Sequence, residues 1–212
     1  IMVSLPPRFH NVLSYLVTAV VFAALARFDT FHHKIVGAMW IGHFLRRTAE
    51  SAFVHRYSGR LVPPSDWVME YLYYWCFAIW IAFSVSNPSW KAGEGVSFLL
   101  GLGLFALGEL GNTWAHLKLR ALRSTSGVTQ RQIPTGGLFE FVSMPHYFCE
   151  ITSWIGFACC AQVSAALLFL AAGGVILSFY ASQAHTSYKT HFDGKSQPLY
   201  PAQRKALVPF LF

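Results

Sequence analysis

Charge is what this sequence is short of. Only nine of 212 residues are acidic and 16 are Lys or Arg, so charged side chains make up 12% of the chain against 54% apolar residues. That is too little charge to clothe an ordinary soluble domain. Cysteine is sparse as well. Cys76, Cys149, Cys159 and Cys160 lie in apolar runs without metal-ligand spacing, so they read as small buried hydrophobes, and neither a disulfide framework nor a metal site is expected. There are no internal repeats and no low-complexity segments. No Gly-x-Gly-x-x-Gly follows a predicted strand, which excludes a soluble Rossmann domain within these residues. Residues 1–10 show no basic stretch with a small-residue cleavage site and are not read as a signal peptide.

Long apolar runs are what the sequence has in abundance. They fall at Asn11–Ala26, Ile35–Val54, Trp67–Val85, Val96–Leu117, Ile133–Phe157 and Val163–Ser182. About 20 apolar residues in a helix cross the hydrocarbon core of a bilayer. The expected fold is therefore all-α, a polytopic membrane helical bundle of about six to seven transmembrane helices. Residues 1–34 form a lead and first span, and residues 35–212 form the main membrane domain. The net charge of +7 then concerns loops, and nucleic acid is not an expected partner. Six spans place ten basic residues, from Arg8 to Lys205, on one side and only Arg27, Lys34 and Lys91 on the other, so the basic side is expected to face the cytoplasm.

Polar groups interrupt several of these runs. His43, Arg46, Arg47 and Glu50 share one side of the second. Asn112, His116, Arg120 and Arg123 lie at i, i+4, i+8 and i+11 of the fourth, and His146 and Glu150, four apart, follow Pro145 in the fifth. A carboxylate in hydrocarbon is costly, and a chain that keeps one aims it at a partner, cavity or ligand. With His185–Arg204 these groups converge on the cytoplasmic side, which favours a pocket open to the cytosol over scattered helix-helix polar packing. For Arg46 and Glu50 an intramembrane ion pair is an equal alternative, and Tyr188 taken alone reads as an interfacial aromatic.

The stretches IPTGGLFEFVSMPHYFCEITSWIGFA, HTSYKTHF and YPAQRKALVPFLF resemble the C-terminal domain of the steroid 5-alpha-reductase family. Within it, HFLRRTAESAFVHRYSG and YYWCFAIWIAFSVSNPSW are similar to the trans-2-enoyl-CoA reductases of very-long-chain fatty acid elongation. The likeness covers roughly His43–Phe212. It implies an integral membrane reductase, most simply of the endoplasmic reticulum with its site facing the cytosol. This reductase would use NADPH to saturate the 2,3 double bond of a long-chain enoyl-CoA. By the same resemblance Tyr188 is the acid and Arg46 its electrostatic support, standing where the family has lysine. Asn112, Arg123, His146, Tyr147, Glu150 and Arg204 belong to the cofactor site, with Glu50, His185 and His116 supporting. His146 replaces the asparagine of the family's PNY sequence, and DGKSQPL lengthens the link between Phe192 and Tyr200. Arginine cannot shuttle a proton as lysine can. Two alternatives stay open, the first because of these departures and the second because it shares the pocket and differs in the acceptor. One is a lapsed reductase acting as a structural or lipid-binding subunit among other membrane subunits. The other is a sterol or polyprenol reductase.

Overall fold

The computed structural model describes residues 3–57, 59–124 and 131–212. Among them the chain is helical, with no β-strand beyond two isolated bridges, Leu5–Val62 and Val142–Lys205. Six α-helices run in order: α1 (Pro7–Leu25), α2 (Phe31–Ala49), α3 (Pro64–Val85), α4 (Gly95–Ser124), α5 (Pro145–Ala161) and α6 (Ser164–His191). Local chemistry sets their starts. Pro7 and Pro64 open α1 and α3, where the missing N–H costs nothing and the fixed φ already suits a helix. Thr30 caps α2 by accepting from the His33 amide at 3.1 Å.

Among the described residues four helices, α1, α3, α4 and α6, are long and apolar enough to cross a membrane. α2 carries Lys34, Arg46 and Arg47, and α5 has only 17 residues, which is why these two expected spans do not stand out by length and composition. Other boundaries also differ from the sequence reading. The second run is not one α-helix, since α2 passes at Glu50 into a π-helical turn, Glu50–Val54, with the His55 amide reaching the Glu50 carbonyl at 2.8 Å. The fifth run is not one span either. Its first part, 133–144, holds a bridge and a 3-10 turn at Gly137–Glu140, and helix begins only at Pro145. α6 continues nine residues past Ser182 and carries His185 and Tyr188. The loop expected at Ser124–Gln132 falls, at residues 125–130, outside the described residues.

The chain divides into two compact units, 1–105 with 155–169 and 106–154 with 170–212. The first is held by aromatic packing. Trp40, fully buried on α2, meets Phe22 at 5.4 Å, Phe157 at 5.4 Å and Phe169 at 5.2 Å between ring centroids. The aromatic run of α3 joins the same core through Tyr73, stacked on Phe169 at 5.1 Å, and through Tyr74 against Tyr15. Such pairs contribute about 0.5–1.5 kcal/mol each beyond their buried area.

The second unit is held by small residues and by its tail. A Cβ on Gly108 of α4 would lie 2.3 Å from Ser153 Oγ and 2.6 Å from the Cys149 carbonyl of α5, so the two backbones approach as only glycine permits. The tail lies beside the segment before α5. The Ser143 amide donates to the Lys205 carbonyl at 2.8 Å, the Lys205 amide to Phe141 at 2.9 Å and the Met144 amide to Ala206 at 3.2 Å. These bonds draw Tyr200, Ala206 and Leu207 into a buried cluster with Met144, Ala181, Tyr188 and Phe192.

Candidate active site

Within the second unit α4 and α5 bring the buried amide of Asn112 to the first turns of α5. Its nitrogen donates to the His146 carbonyl at 2.8 Å and to Glu150 Oε2 at 3.0 Å, while Trp154 Nε1 donates to Glu150 Oε1 at 3.2 Å. Both carboxylate oxygens of Glu150 therefore have donors, which is what keeps an acidic group tolerable in apolar surroundings. His116, one turn beyond Asn112 and also buried, lies 5.4 Å from the His146 ring, which lies 4.3 Å from that of Tyr147. Five expected site residues, Asn112, His116, His146, Tyr147 and Glu150, thus form one cluster. Arg123, on the same stripe of α4, stands exposed towards the helix end.

Tyr147 packs against the buried group that contains Tyr188. The Tyr188 ring lies 5.4 Å from that of Tyr200 and 6.1 Å from that of Phe192, both stacked, and the Arg131 guanidinium sits over it at 4.3 Å. A cation is held over the negative face of a phenol ring. Arg131 is fixed in place by donating to Ser187 Oγ at 2.8 Å.

Beside Tyr188 is a network that sequence reasoning missed. Ser143 Oγ contacts His185 Nδ1 at 2.6 Å, the Tyr200 hydroxyl at 2.7 Å and the Lys205 carbonyl at 3.2 Å. The Lys205 carbonyl can only accept, whereas the imidazole and the phenol can each stand on either side of a bond to the serine hydroxyl, so the three contacts join in one network. Ser143 and Tyr200 gave no signal in the sequence, because a lone serine and a tail tyrosine are ordinary residues until the tail pairs with 141–144.

Arg204, 3% exposed, closes the other side of the tail. It donates to the Pro134 carbonyl at 2.7 Å and to Glu140 Oε2 at 3.2 Å, and its guanidinium lies over the Tyr200 ring at 5.6 Å. Its buried Nε has no hydrogen-bond partner among the described residues. Glu140 also accepts from the Gly136 amide at 2.5 Å. That amide, with Arg204 adding its charge, holds the Glu140 carboxyl below its ordinary value. Gly136 and Gly137 take φ of 89° and 57°, and a Cβ on Gly137 would lie 2.7 Å from the Trp114 ring, so the Gly-Gly pair is a requirement of this turn.

Arg46 and Glu50 belong to the first unit. Glu50, buried at the start of the π turn, is gripped by Arg46 Nη1 at 2.7 Å and Arg47 Nη1 at 3.0 Å, and Arg46 Nη2 lies 3.5 Å from His43 Nδ1. Arg47 also covers the Tyr15 ring at 5.2 Å. The charge-paired reading of Arg46 and Glu50 is thus realised in the geometry.

Residues 65–212 match the family described as 3-oxo-5-alpha-steroid 4-dehydrogenase. The chain is similar to the "Very-long-chain enoyl-CoA reductase" of Dictyostelium discoideum, 36% identical over 86% of this chain and 59% of that protein. It is also similar to a Caenorhabditis elegans protein named "Probable very-long-chain enoyl-CoA reductase art-1", 33% identical over 97% of this chain and 68% of that one. The human "3-oxo-5-alpha-steroid 4-dehydrogenase 1" is 32% identical over 84% of this chain and 67% of its own length. The chain thus spans about three fifths to two thirds of these relatives. With its family match covering well over half of its residues, this chain belongs to the steroid 5-alpha-reductase family.

Proposed function

We propose that the protein is an NADPH-dependent reductase of the 2,3 double bond of long-chain enoyl-CoA, held in the endoplasmic reticulum membrane by six spans with its site towards the cytosol. In this reading α2 and α5 cross as well, their polar groups turned to protein. The observation that carries the proposal is the second unit itself, where the Asn112–Glu150 pair and its imidazoles share a small helical unit with a buried tyrosine under a guanidinium. The enoyl-CoA reductase names of two relatives supply the acceptor.

The donor set suits NADPH. Phosphates need cations, and Arg123 and Arg131 are exposed in this unit, while the unsatisfied Nε of Arg204 is a buried donor that an oxygen-rich ligand would occupy. A carboxamide's N–H groups need acceptors, and the Glu150 carboxylate, with lone pairs beyond the bonds it accepts from Asn112 and Trp154, is one. When bound, NADPH supplies a hydride to the β carbon of the enoyl thioester.

The residues of the chain supply the rest. The Tyr188 hydroxyl gives its proton to the α carbon, so that one hydride and one proton complete the saturated product. The resulting phenolate is stabilised by Arg131 over its ring. Stacking on Tyr200 and Phe192 fixes the phenol, and the Ser143 hydroxyl fixes Tyr200 in turn.

The test is NADPH oxidation by the purified protein in detergent or nanodiscs with a trans-2-enoyl-CoA of long chain, beside a 3-oxo-4-ene steroid. Consumption of NADPH with the enoyl-CoA and not the steroid is the expected result. A flat trace with folded protein overturns the proposal, and turnover of the steroid alone reassigns the acceptor.

A further inference from the structure

Residues 206–212, Ala-Leu-Val-Pro-Phe-Leu-Phe, carry no polar side chain, and the end of the stretch faces outward. Phe210 and Leu211 are 76% and 80% exposed. Phe212 is exposed beside them, as is Phe141, whose ring lies 5.4 Å from that of Phe210. The backbone closes this loop on itself. The amides of Leu207 and Val208 donate to the Phe212 carbonyl at 2.7 and 2.5 Å, and those of Leu211 and Phe212 donate to the Val208 carbonyl, each at 3.1 Å. Closure puts Phe210 at φ 67°, a conformation that bulky L residues seldom adopt. A strained loop kept in order to present three large apolar side chains points to a surface that receives them.

The backbone and the depth of the loop say which surface that is. A turn in water can leave its amides to solvent, whereas in hydrocarbon they must be paired within the protein. Pro209 has no N–H, and four of the other five amides in 207–212 are bonded inside the loop. The depth follows from α6. With α6 as a span, a hydrocarbon core of about 30 Å takes about 20 residues from Ser164 and ends near Gln183. Ala181 lies at that boundary and Tyr188 one to two turns beyond it, and both are buried in one cluster with Ala206 and Leu207, against which Val208 packs. Residues 207–212 thus sit where hydrocarbon gives way to headgroups. Lys205, exposed just before the loop, supplies the positive charge that an interfacial element turns to lipid phosphates.

We infer that residues 207–212, with Phe141, form an interfacial membrane anchor, an ordered loop that dips Phe210, Leu211 and Phe212 into the acyl region of the adjacent leaflet. The inference rests on α6 being a span and is independent of the reductase chemistry. Its occupant is the bilayer and not a second protein, because the amides are closed to a pairing strand and the loop lies at lipid depth. The anchor holds the tail down. Tyr200 and Arg204 belong to the same tail, so lipid contact at 210–212 steadies the pairing with 141–144 that orders the Ser143 network.

The experiment places a nitroxide on Leu211→Cys and, as a reference in water, on Lys195→Cys, both exposed positions, with Cys76 and Cys159 replaced by alanine and Cys149 and Cys160 left buried. The full chain is studied in liposomes of phosphatidylcholine and phosphatidylserine. Relaxation by oxygen, which concentrates in hydrocarbon, is compared with relaxation by a water-soluble nickel chelate. Expected at 211 is an oxygen-to-nickel ratio about tenfold or more above that at 195, as burial of about 5–10 Å in the interface gives. Equal ratios at the two positions overturn the anchor. A label at 211 that reaches neither reagent, with a spectrum that broadens as the protein is packed more densely, marks contact between copies of the chain and overturns it as well. Adding Phe210→Ser and Phe212→Ser should bring the ratio at 211 down to that at 195. An unchanged ratio there means that the label and not the loop enters the lipid, and the anchor falls.

Discussion

Replacing Ser143 by alanine removes one hydroxyl and breaks three contacts at once. The consequences can be counted. The Lys205 carbonyl keeps the Ser143 amide as donor at 2.8 Å and loses only its second bond. The Tyr200 hydroxyl, on a residue 4% exposed, loses its serine partner. His185 Nδ1 also loses its partner, in a half-buried site where water can partly replace it. A buried donor left without an acceptor costs about 1–3 kcal/mol, and the partly hydrated imidazole about 1 kcal/mol, so the total is about 2–4 kcal/mol. For a chain of this size each kcal/mol moves Tm by about 2–4 °C, so S143A should melt roughly 4–16 °C below wild type. The assay is thermal unfolding in a fixed detergent followed by tryptophan fluorescence. An S143A midpoint within 1 °C of wild type would refute the assignment of Ser143 as the hub of this network.

Three further outcomes are expected. Tyr188→Phe should lower kcat for enoyl reduction by about 10²–10⁴ while NADPH affinity stays within about twofold, since only the acidic proton is removed; turnover equal to wild type rejects the role of acid. Glu140, held below its usual 4.5 by the Gly136 amide and then by Arg204, contributes stability that is present above that value and is lost as pH falls through the folded pKa. Melting midpoints recorded from about pH 6 to pH 3 should therefore drop less in E140Q than in wild type, and parallel curves would remove Glu140 from the account. Gly108→Ala should cost about 1–3 kcal/mol by pushing a methyl into the Ser153 and Cys149 backbone, read as a lowered Tm; an unchanged Tm would mean that α4 and α5 are not in close contact there.

Much of the second unit was legible before any coordinates. Asn112, His116, His146 and Glu150 announced themselves as polar groups at helical spacing inside apolar runs, because few side chains of that kind are tolerated there without purpose. Helix positions were legible for the same reason, as hydropathy dictates them. Their ends were less so. Ile133–Phe157 has the composition of a span throughout, yet the left-handed Gly136 and Gly137 and the bonds from 141–144 to the tail hold its first part out of helix. The π turn, which begins at the Glu50 carboxylate paired with Arg46 and Arg47, has no composition signal. Ser143, Tyr200 and Glu140 were silent because their roles exist only through partners 42 to 64 positions away.

The pairing of residues 200–206 with 141–144 also has a bearing on biosynthesis. Helices α4 and α5 leave the ribosome well before the tail does, so Ser143 and His185 must wait in the nascent chain without Tyr200, and Glu140 without Arg204. The second unit is thus a late-maturing piece that helical insertion alone cannot complete. A ribosome stalled short of Tyr200 should yield helices protected by lipid around a protease-sensitive segment at 133–144, and release of the remaining residues should abolish that sensitivity in a single step.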